Sequence, residues 1–408
     1  RDDEKALRGK PCNNCRGDLL QRGNTLQGKG LRILIGVTGS IAAHKSLFLC
    51  RELYKRGYEL KVILSKGSLN FLKPLPFKEL CGAEVFTDKD FFKGNTHINL
   101  SRWAELFLIV PATYNIIGKV ANGIADDLLT SVCASYPFQI IFVPAMHTEM
   151  WRNPILKENI EKLRKFGHIV LPTVEGDLAS GDYGEGRMLE VDDLVNYIED
   201  IGKLGNFWRG KRVVITYGGT LEKIDDVRVI TNLSSGKMGI ALATFLKSLG
   251  SFVIAVGCGN VERASSDVFY RVSSVDELYE ILKDLDYDYL FMAAAVSDFK
   301  VDHLKGKVKR EGNITLNLVP TMDVLAEISR KKRGKIVGFA LEEEEKLFDE
   351  AKRKLEEKNL DYIVANPIRV IGSDETEVVL LSKDGILGKF SGSKWEVARK
   401  IVERLSSV

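Results

Sequence analysis

The chain has 408 residues, more than a single hydrophobic core organises, so two or three folding units are expected. Its 45% hydrophobic and 28% charged composition is that of a soluble globular protein, and 59 basic against 56 acidic residues leave a formal net charge of +3. So balanced a charge argues against nucleic acid as a partner, no 18-residue apolar run exists to span a membrane, and RDDEKALRGK lacks the apolar stretch of a secretory leader, which makes the cytoplasm the expected compartment.

Residues 1–30, rich in Gly, Asn, Arg and Lys, read as an extension. Within it Cys12 and Cys15 form one CxxC, half of a tetrahedral zinc set, with redox chemistry or no role as the other readings. Cys50, Cys81, Cys133 and Cys258 stand singly and read as reduced core thiols. After Gly30 the apolar runs LRILIGV, ELKVILS, LFLIVPA and QIIFVPA alternate with amphipathic segments such as HKSLFLCRELYKRG, which predicts strand, crossover helix and strand over 31–200. The pattern loosens around Asn196–Lys211, with 201–211 read as a linker, and a second series (RVVITYGG, SFVIAVG, DYLFMAAA, KIVGFA, DYIVAN) fills 212–408. The expected fold is α/β, with two Rossmann-like domains of mostly parallel sheets whose ligand crevices lie beyond the carboxyl ends of the strands. The stretch 342–358, acidic first and basic later, predicts a helix in accord with its dipole.

Behind the first strand lies GVTGSIAAHKS at Gly36–Ser46. It lacks GxGxxG spacing, which disfavours a nicotinamide-linked oxidoreductase. Gly36 and Gly39 still permit close backbone approach, and Thr38 and Ser40 add hydroxyls at a helix start, so phosphate binding and helix capping are the two readings. Ser65, ending the next strand, offers a further contact. His97, one of five histidines, precedes an expected helix, where it either packs structurally or moves protons. Asn115 follows a strand end, and Asp126–Asp127 either caps the next helix or faces a ligand.

In the second series Gly218–Thr220, Asp225, Arg228, Asn232 and Ser234–Gly239 gather small, hydroxyl and anion-binding residues. No Walker A motif can be drawn through them, yet a glycine turn at a helix start suits phosphate. Asp298 suits a metal, a nucleobase or a cap. The basic stretch 299–319, with Lys307, Lys309 and Arg310, reads as a flap bringing charge to a transferring phosphate or as a solvated face.

Residues 31–200 resemble the flavin-containing cysteine decarboxylases, specifically the 4'-phosphopantothenoylcysteine decarboxylase half of the bifunctional coenzyme A biosynthesis flavoproteins, through Gly39-Ser40-Ile41, His97 at the catalytic histidine, and Pro111–Ile116. The resemblance implies a flavodoxin-like domain with FMN on Gly39, Ser40, Ser65, Thr113 and Asn115, partly at a subunit interface of a trimer. Two positions depart from the family pattern. His147 in PAMH replaces the asparagine that holds the substrate carboxylate, and Ser180 in ASG replaces the cysteine that donates a proton, ahead of the retained Gly184, Gly186, Arg187 and Met188. In that chemistry the thiol side is oxidised to a thioaldehyde, which accepts the electrons released with carbon dioxide, and the enethiolate is then protonated and reduced. A thiol, with a pKa of about 8.5, is a far readier acid than a serine hydroxyl. Oxidation and decarboxylation are therefore expected to survive better than the final reduction, unless Tyr183 or His147 donates the proton.

Residues 210–400 resemble phosphopantothenate–cysteine ligase: Asn232 stands where the family holds the acyl-cytidylate, Asp298 at the nucleotide-binding aspartate, Lys307 at the flap lysine, and Gly338-Phe339-Ala340 with Ala365-Asn366 at later nucleotide-site strand ends. The resemblance implies attack of the 4'-phosphopantothenate carboxylate on the α-phosphate of CTP with Mg²⁺, then aminolysis by cysteine and release of CMP. Together the halves imply a bifunctional enzyme making 4'-phosphopantetheine, assembled from decarboxylase trimers and ligase dimers. The alternative is an active ligase fused to an FMN-binding domain that is catalytically impaired and mainly oligomerising.

Overall fold

The computed structural model describes residues 30–302, 306–307, 315–370, 373 and 375–408; Cys12, Cys15, Lys309 and Arg310 lie outside them. The first unit comprises β1 (Arg32–Val37), α1 (Ala43–Lys55), β2 (Glu59–Leu64), α2 (Pro74–Cys81), β3 (Glu84–Phe86), α3 (Thr96–Trp103), β4 (Leu106–Ala112), α4 (Tyr114–Ala121), α5 (Leu128–Ser135), β5 (Ile140–Pro144), α6 (Thr148–Arg152), α7 (Pro154–Lys165), β6 (Ile169–Val170) and the antiparallel pair β7 (Val174–Asp177) and β8 (Tyr183–Arg187). Its six-stranded sheet runs in the order β3-β2-β1-β4-β5-β6 and is parallel throughout. The period of two along a strand sends Ile33, Ile35 and Val37 into one apolar cluster with Leu49 and Leu53 of α1, and Leu34 into another with Ile117 and Leu129. Helices therefore cover both faces, which is why these strands read as unbroken apolar runs.

Helix α8 (Val191–Trp208) leads to the second unit. This comprises β9 (Arg212–Gly219), β10 (Leu221–Lys223), β11 (Val229–Thr231), α9 (Lys237–Ser248), β12 (Phe252–Cys258), β13 (Val268–Val272), α10 (Val275–Leu282), β14 (Tyr289–Ala295), β15 (Phe299–Lys300), β16 (Val319–Pro320), α11 (Val324–Arg330), β17 (Lys335–Glu342), α12 (Leu347–Glu357), β18 (Tyr362–Pro367), β19 (Glu375–Ser382), β20 (Gly385–Ser393) and α13 (Lys394–Ser406). Eight of these strands form a sheet in the order β13-β12-β9-β14-β17-β18-β19-β20, parallel through β18 and closed by the antiparallel β19 and β20. Mostly parallel sheets were the expectation, and both sheets meet it.

Two local expectations differ. The segment 201–211 is helical through Trp208, because Gly202, Gly205 and Trp208 continue the buried face of α8. The helix expected from 342 starts at Leu347, since Glu342 ends β17 and pairs with Lys354 of α12.

Helix α8 packs on α1 and on α13. The Tyr197 and Trp395 rings lie 5.5 Å apart, tilted by 54°, and Trp208 sits 4.7 Å from Tyr289. Among these apolar groups Asp200 accepts from Arg399 Nε at 2.9 Å, and both side chains are nearly buried. A guanidinium left in such a place without its carboxylate costs about 3–5 kcal/mol. Asp200→Asn is accordingly expected to lower unfolding stability by about that amount in urea titration, and a loss within about 1 kcal/mol, the range of exposed pairs, would mean that solvent reaches the pair.

Two candidate active sites

The first cavity, of about 580 Å³, opens beyond the carboxyl ends of β1 and β4, where the strand order reverses. Thr38 joins the two strand ends: its buried Oγ1 donates to the Pro111 carbonyl at 2.7 Å and accepts from Thr113 N at 3.3 Å. Gly39 meets Gly67 so closely that a Cβ on Gly39 would lie 2.9 Å from the Gly67 carbonyl carbon. Of the expected cofactor residues, Gly39, Ser40, Ser65, Thr113 and Asn115 all line this cavity. Asp88, Lys119, Asp126 and Asp127 line it as well, with Lys119 Nζ 2.7 Å from Asp126 and 3.7 Å from Asp127. Asp127 also caps α5 through Thr130, as the capping reading expects.

His97 is not among the lining residues. It lies in the first turn of α3, its ring edge-on to Phe91 at 5.9 Å, with Nδ1 buried and lacking a hydrogen-bond partner. His147 and Ser180 are absent from the lining too, although Ala145 and Met146 belong to it. His147 caps α6 by accepting Glu149 N on Nδ1, which leaves Nε2 to meet Asp182 at 3.1 Å. The same carboxylate receives Ser180, on the exposed tip between β7 and β8, and bonds from His147 and Ser180 hold it below the usual carboxylate range. A depressed carboxylate pKa means that this contact contributes above the unfolded value and is lost as pH falls through the folded one.

The second cavity, of about 190 Å³, lies at the corresponding end of the other sheet. Gly236, at φ 72°, starts α9, and a Cβ on Gly239 would stand 2.3 Å from Tyr217 Cβ, so glycine lets the helix close on β9. Ser234 to Gly239 form one wall; Ala293–Ala295, Phe339–Leu341 and Asn366, at the ends of β14, β17 and β18, form another. Phe339 of β17 is among these lining residues. Asn232 lies just outside and ties the loop to β14, its Nδ2 donating to Val296 O at 2.9 Å. Asp298 is exposed beyond the cavity, its carbonyl receiving Thr321 N. Lys307 is exposed beside Gly306, whose N donates to Asp226 Oδ2 at 3.0 Å in the loop after β10. Sequence reasoning missed Thr376 and Lys394, which complete the wall beside Asn366. Among the described residues no group of three or more His, Cys, Asp or Glu side chains is placed to hold a metal.

Two glycine-loop cavities on two largely parallel sheets define a two-site α/β protein. A flavoprotein family model matches residues 22–202, and the DNA/pantothenate metabolism flavoprotein C-terminal domain matches residues 208–408. The coenzyme A biosynthesis bifunctional protein CoaBC of Borreliella burgdorferi is 34% identical over 387 residues, covering 92% of this chain and 99% of that protein. The protein of the same name from Bacillus subtilis is 37% identical over 396 residues, covering 92% and 97%. A crystal structure of the C-terminal domain of a CoaBC protein aligns with 49% of this chain and 95% of its own at 31% identity, with a TM-score of 0.41. The chain belongs to the family of bifunctional coenzyme A biosynthesis proteins.

The Gly39–Gly67 contact is backbone on backbone and cannot be relieved by a side-chain rotation. Gly39→Ala is expected to cost about 1–3 kcal/mol by denaturant unfolding and to open the first cavity to ligand loss. Unchanged stability would show that the two loops separate freely.

Proposed function

We propose that the chain ligates 4'-phosphopantothenate to cysteine at the second cavity with CTP, and decarboxylates the product at the first with bound FMN. The observation that carries the reading is the placement of a glycine-loop cavity at the strand-order reversal of each sheet in a chain whose relatives are bifunctional coenzyme A biosynthesis proteins. Residues 31–200 and 212–408 are the two catalytic domains on this reading, and trimers of the first joined through dimers of the second are its assembly.

At the second cavity the α9 start and Ser234–Ser235 bind phosphate oxygens through backbone N–H and hydroxyl groups. Asn232 holds the acyl-cytidylate away from water, Phe339 packs against the nucleotide and Asp298 orients it, while Lys307 offsets charge developing on the α-phosphate. Mg²⁺ arrives on the triphosphate, which supplies the oxygen ligands that this hard cation prefers. Asn232→Ala is expected to slow amide formation at least tenfold and to release free acyl-cytidylate or its hydrolysis product; undiminished amide with no such release would sink that role.

The first cavity fits FMN by its volume, by the Thr38–Ser40 loop and by the Ser65 and Thr113–Asn115 walls. Held by these residues, an FMN would supply the two-electron redox chemistry that the thiol side of the substrate needs. His97 would take the proton of the substrate thiol, a role that requires its ring to reach the cavity from α3. His147 donates a hydrogen bond to the substrate carboxylate when it leaves Asp182, and Ser180 faces the enethiolate, a poor acid for the closing protonation. That contact with Asp182 also favours the second reading, an active ligase whose flavin domain is impaired and mainly oligomerising. With 4'-phosphopantothenate, cysteine, CTP and Mg²⁺, mass-resolved products are expected to include CMP, carbon dioxide and 4'-phosphopantetheine. Ligated acid without carbon dioxide would establish the second reading, and neither CMP nor carbon dioxide would overturn both. Ser180→Cys is expected to raise 4'-phosphopantetheine relative to the oxidised decarboxylated thiol.

A further inference from the structure

The second cavity has a wall built from the far end of the chain. Strand β20 returns antiparallel to β19, so that Thr376 pairs with Gly392 and the chain emerges at the cavity as α13 begins. Thr376 and Lys394 line the cavity there beside Asn366, whose Nδ2 donates to Thr376 Oγ1 at 3.2 Å. Ser234 and Ser235 lie on the glycine-loop wall.

Lys394 is the first residue of α13, a position where the helix dipole favours an anion and opposes a cation. The helix start is otherwise well made: Ser393 accepts Glu396 N at 3.2 Å and Glu396 returns to Ser393 N at 2.9 Å. Helix formation thus accounts for Ser393 and Glu396 and runs against a lysine between them. Lys394 nevertheless lines the cavity together with Ser234, Ser235 and the start of α9, and a cation beside hydroxyls and helix N–H groups suits a phosphate.

We infer that Lys394 binds a substrate phosphate group in the second cavity, which it lines together with the glycine loop. The inference rests on the ligase reading and assigns a cation that the flap does not supply. The phosphate is either the CTP triphosphate or the monoester of 4'-phosphopantothenate, and kinetics separates them.

Lys394→Gln and Lys394→Glu in the full chain test it, the glutamate being a charge that the helix start favours, so the fold holds while phosphate is repelled. Initial CMP release is measured against each substrate in turn, alongside calorimetric binding of CTP and of 4'-phosphopantothenate separately and the melting temperature. The expected result is a tenfold or greater rise in KM and Kd for one of the two, larger for the glutamate, with Lys394→Arg restoring most of it and with melting unchanged or raised. A shift confined to CTP assigns the triphosphate, and one confined to 4'-phosphopantothenate assigns the monoester. Affinities for both within twofold of the parent overturn the inference. No CMP from the parent chain would instead defeat the ligase reading, and the calorimetric comparison would still decide the role of Lys394.

Discussion

The contact on which the arrangement of this molecule depends is the nearly buried Asp200–Arg399 pair, which binds α8 to α13. Such a pair returns little net stability, since both ions lose water, but it is costly to break and so holds one register between the elements that carry it. Helix α8 begins just after Glu190, which bonds Lys45 of α1 and Arg187 of β8 at 2.9 and 2.6 Å, near the loops of the first cavity. Helix α13 begins with Lys394 in the second cavity. The element between the two sheets therefore touches the framework of both sites. A second contact, Arg164 of α7 to Glu262 at 3.3 Å, ties the units at another point.

Each cavity arises from the same constraint. Where crossover helices diverge to opposite sides of neighbouring parallel strands, backbone groups at the strand ends lose their ladder partners and must find others. Threonine supplies them in both sheets. Thr38 bridges the ends of β1 and β4, while Thr216 Oγ1 receives Ala294 N and Thr220 Oγ1 receives Ser297 N between β9 and β14. All three threonines are buried, so these bonds are shielded from water, and the loops they hold present glycine and serine to the cavity.

The apolar runs made both parallel sheets legible, because burial on two faces leaves an unbroken β-branched strand such as RILIGV. Gly39, Ser40, Ser65, Thr113 and Asn115 in the first cavity and Phe339 in the second were legible for a related reason: a parallel sheet brings the carboxyl ends of its strands to one edge. Lys394 was not. Its SGSKWE context announces a capped helix, but only the antiparallel return of β20 brings that helix start to the cavity, and pairing across a sheet leaves no mark in local spacing. Residues 201–208 misled in the opposite sense, since the apolar pattern loosens there while Gly202, Gly205 and Trp208 carry the buried face of α8 onward. His97, Asn232 and Asp298 were legible as residues, while their places beside the cavities depended on where α3, the loop before α9 and the turn after β14 settle.

His147 and Ser180 lie 33 positions apart and would pass in sequence for two independent departures. In the fold they share the carboxylate of Asp182. The acceptor role of His147 Nδ1 at the α6 cap leaves Nε2 as the proton-bearing nitrogen, which is the atom facing Asp182. The carboxylate accepts from both the imidazole and the hydroxyl, so the helix cap and the β7–β8 tip are joined through one side chain. Changing either partner alters the hydrogen bonding left to the other, and their effects on the flavin half must therefore be non-additive. The two side chains thus form one physical unit centred on Asp182.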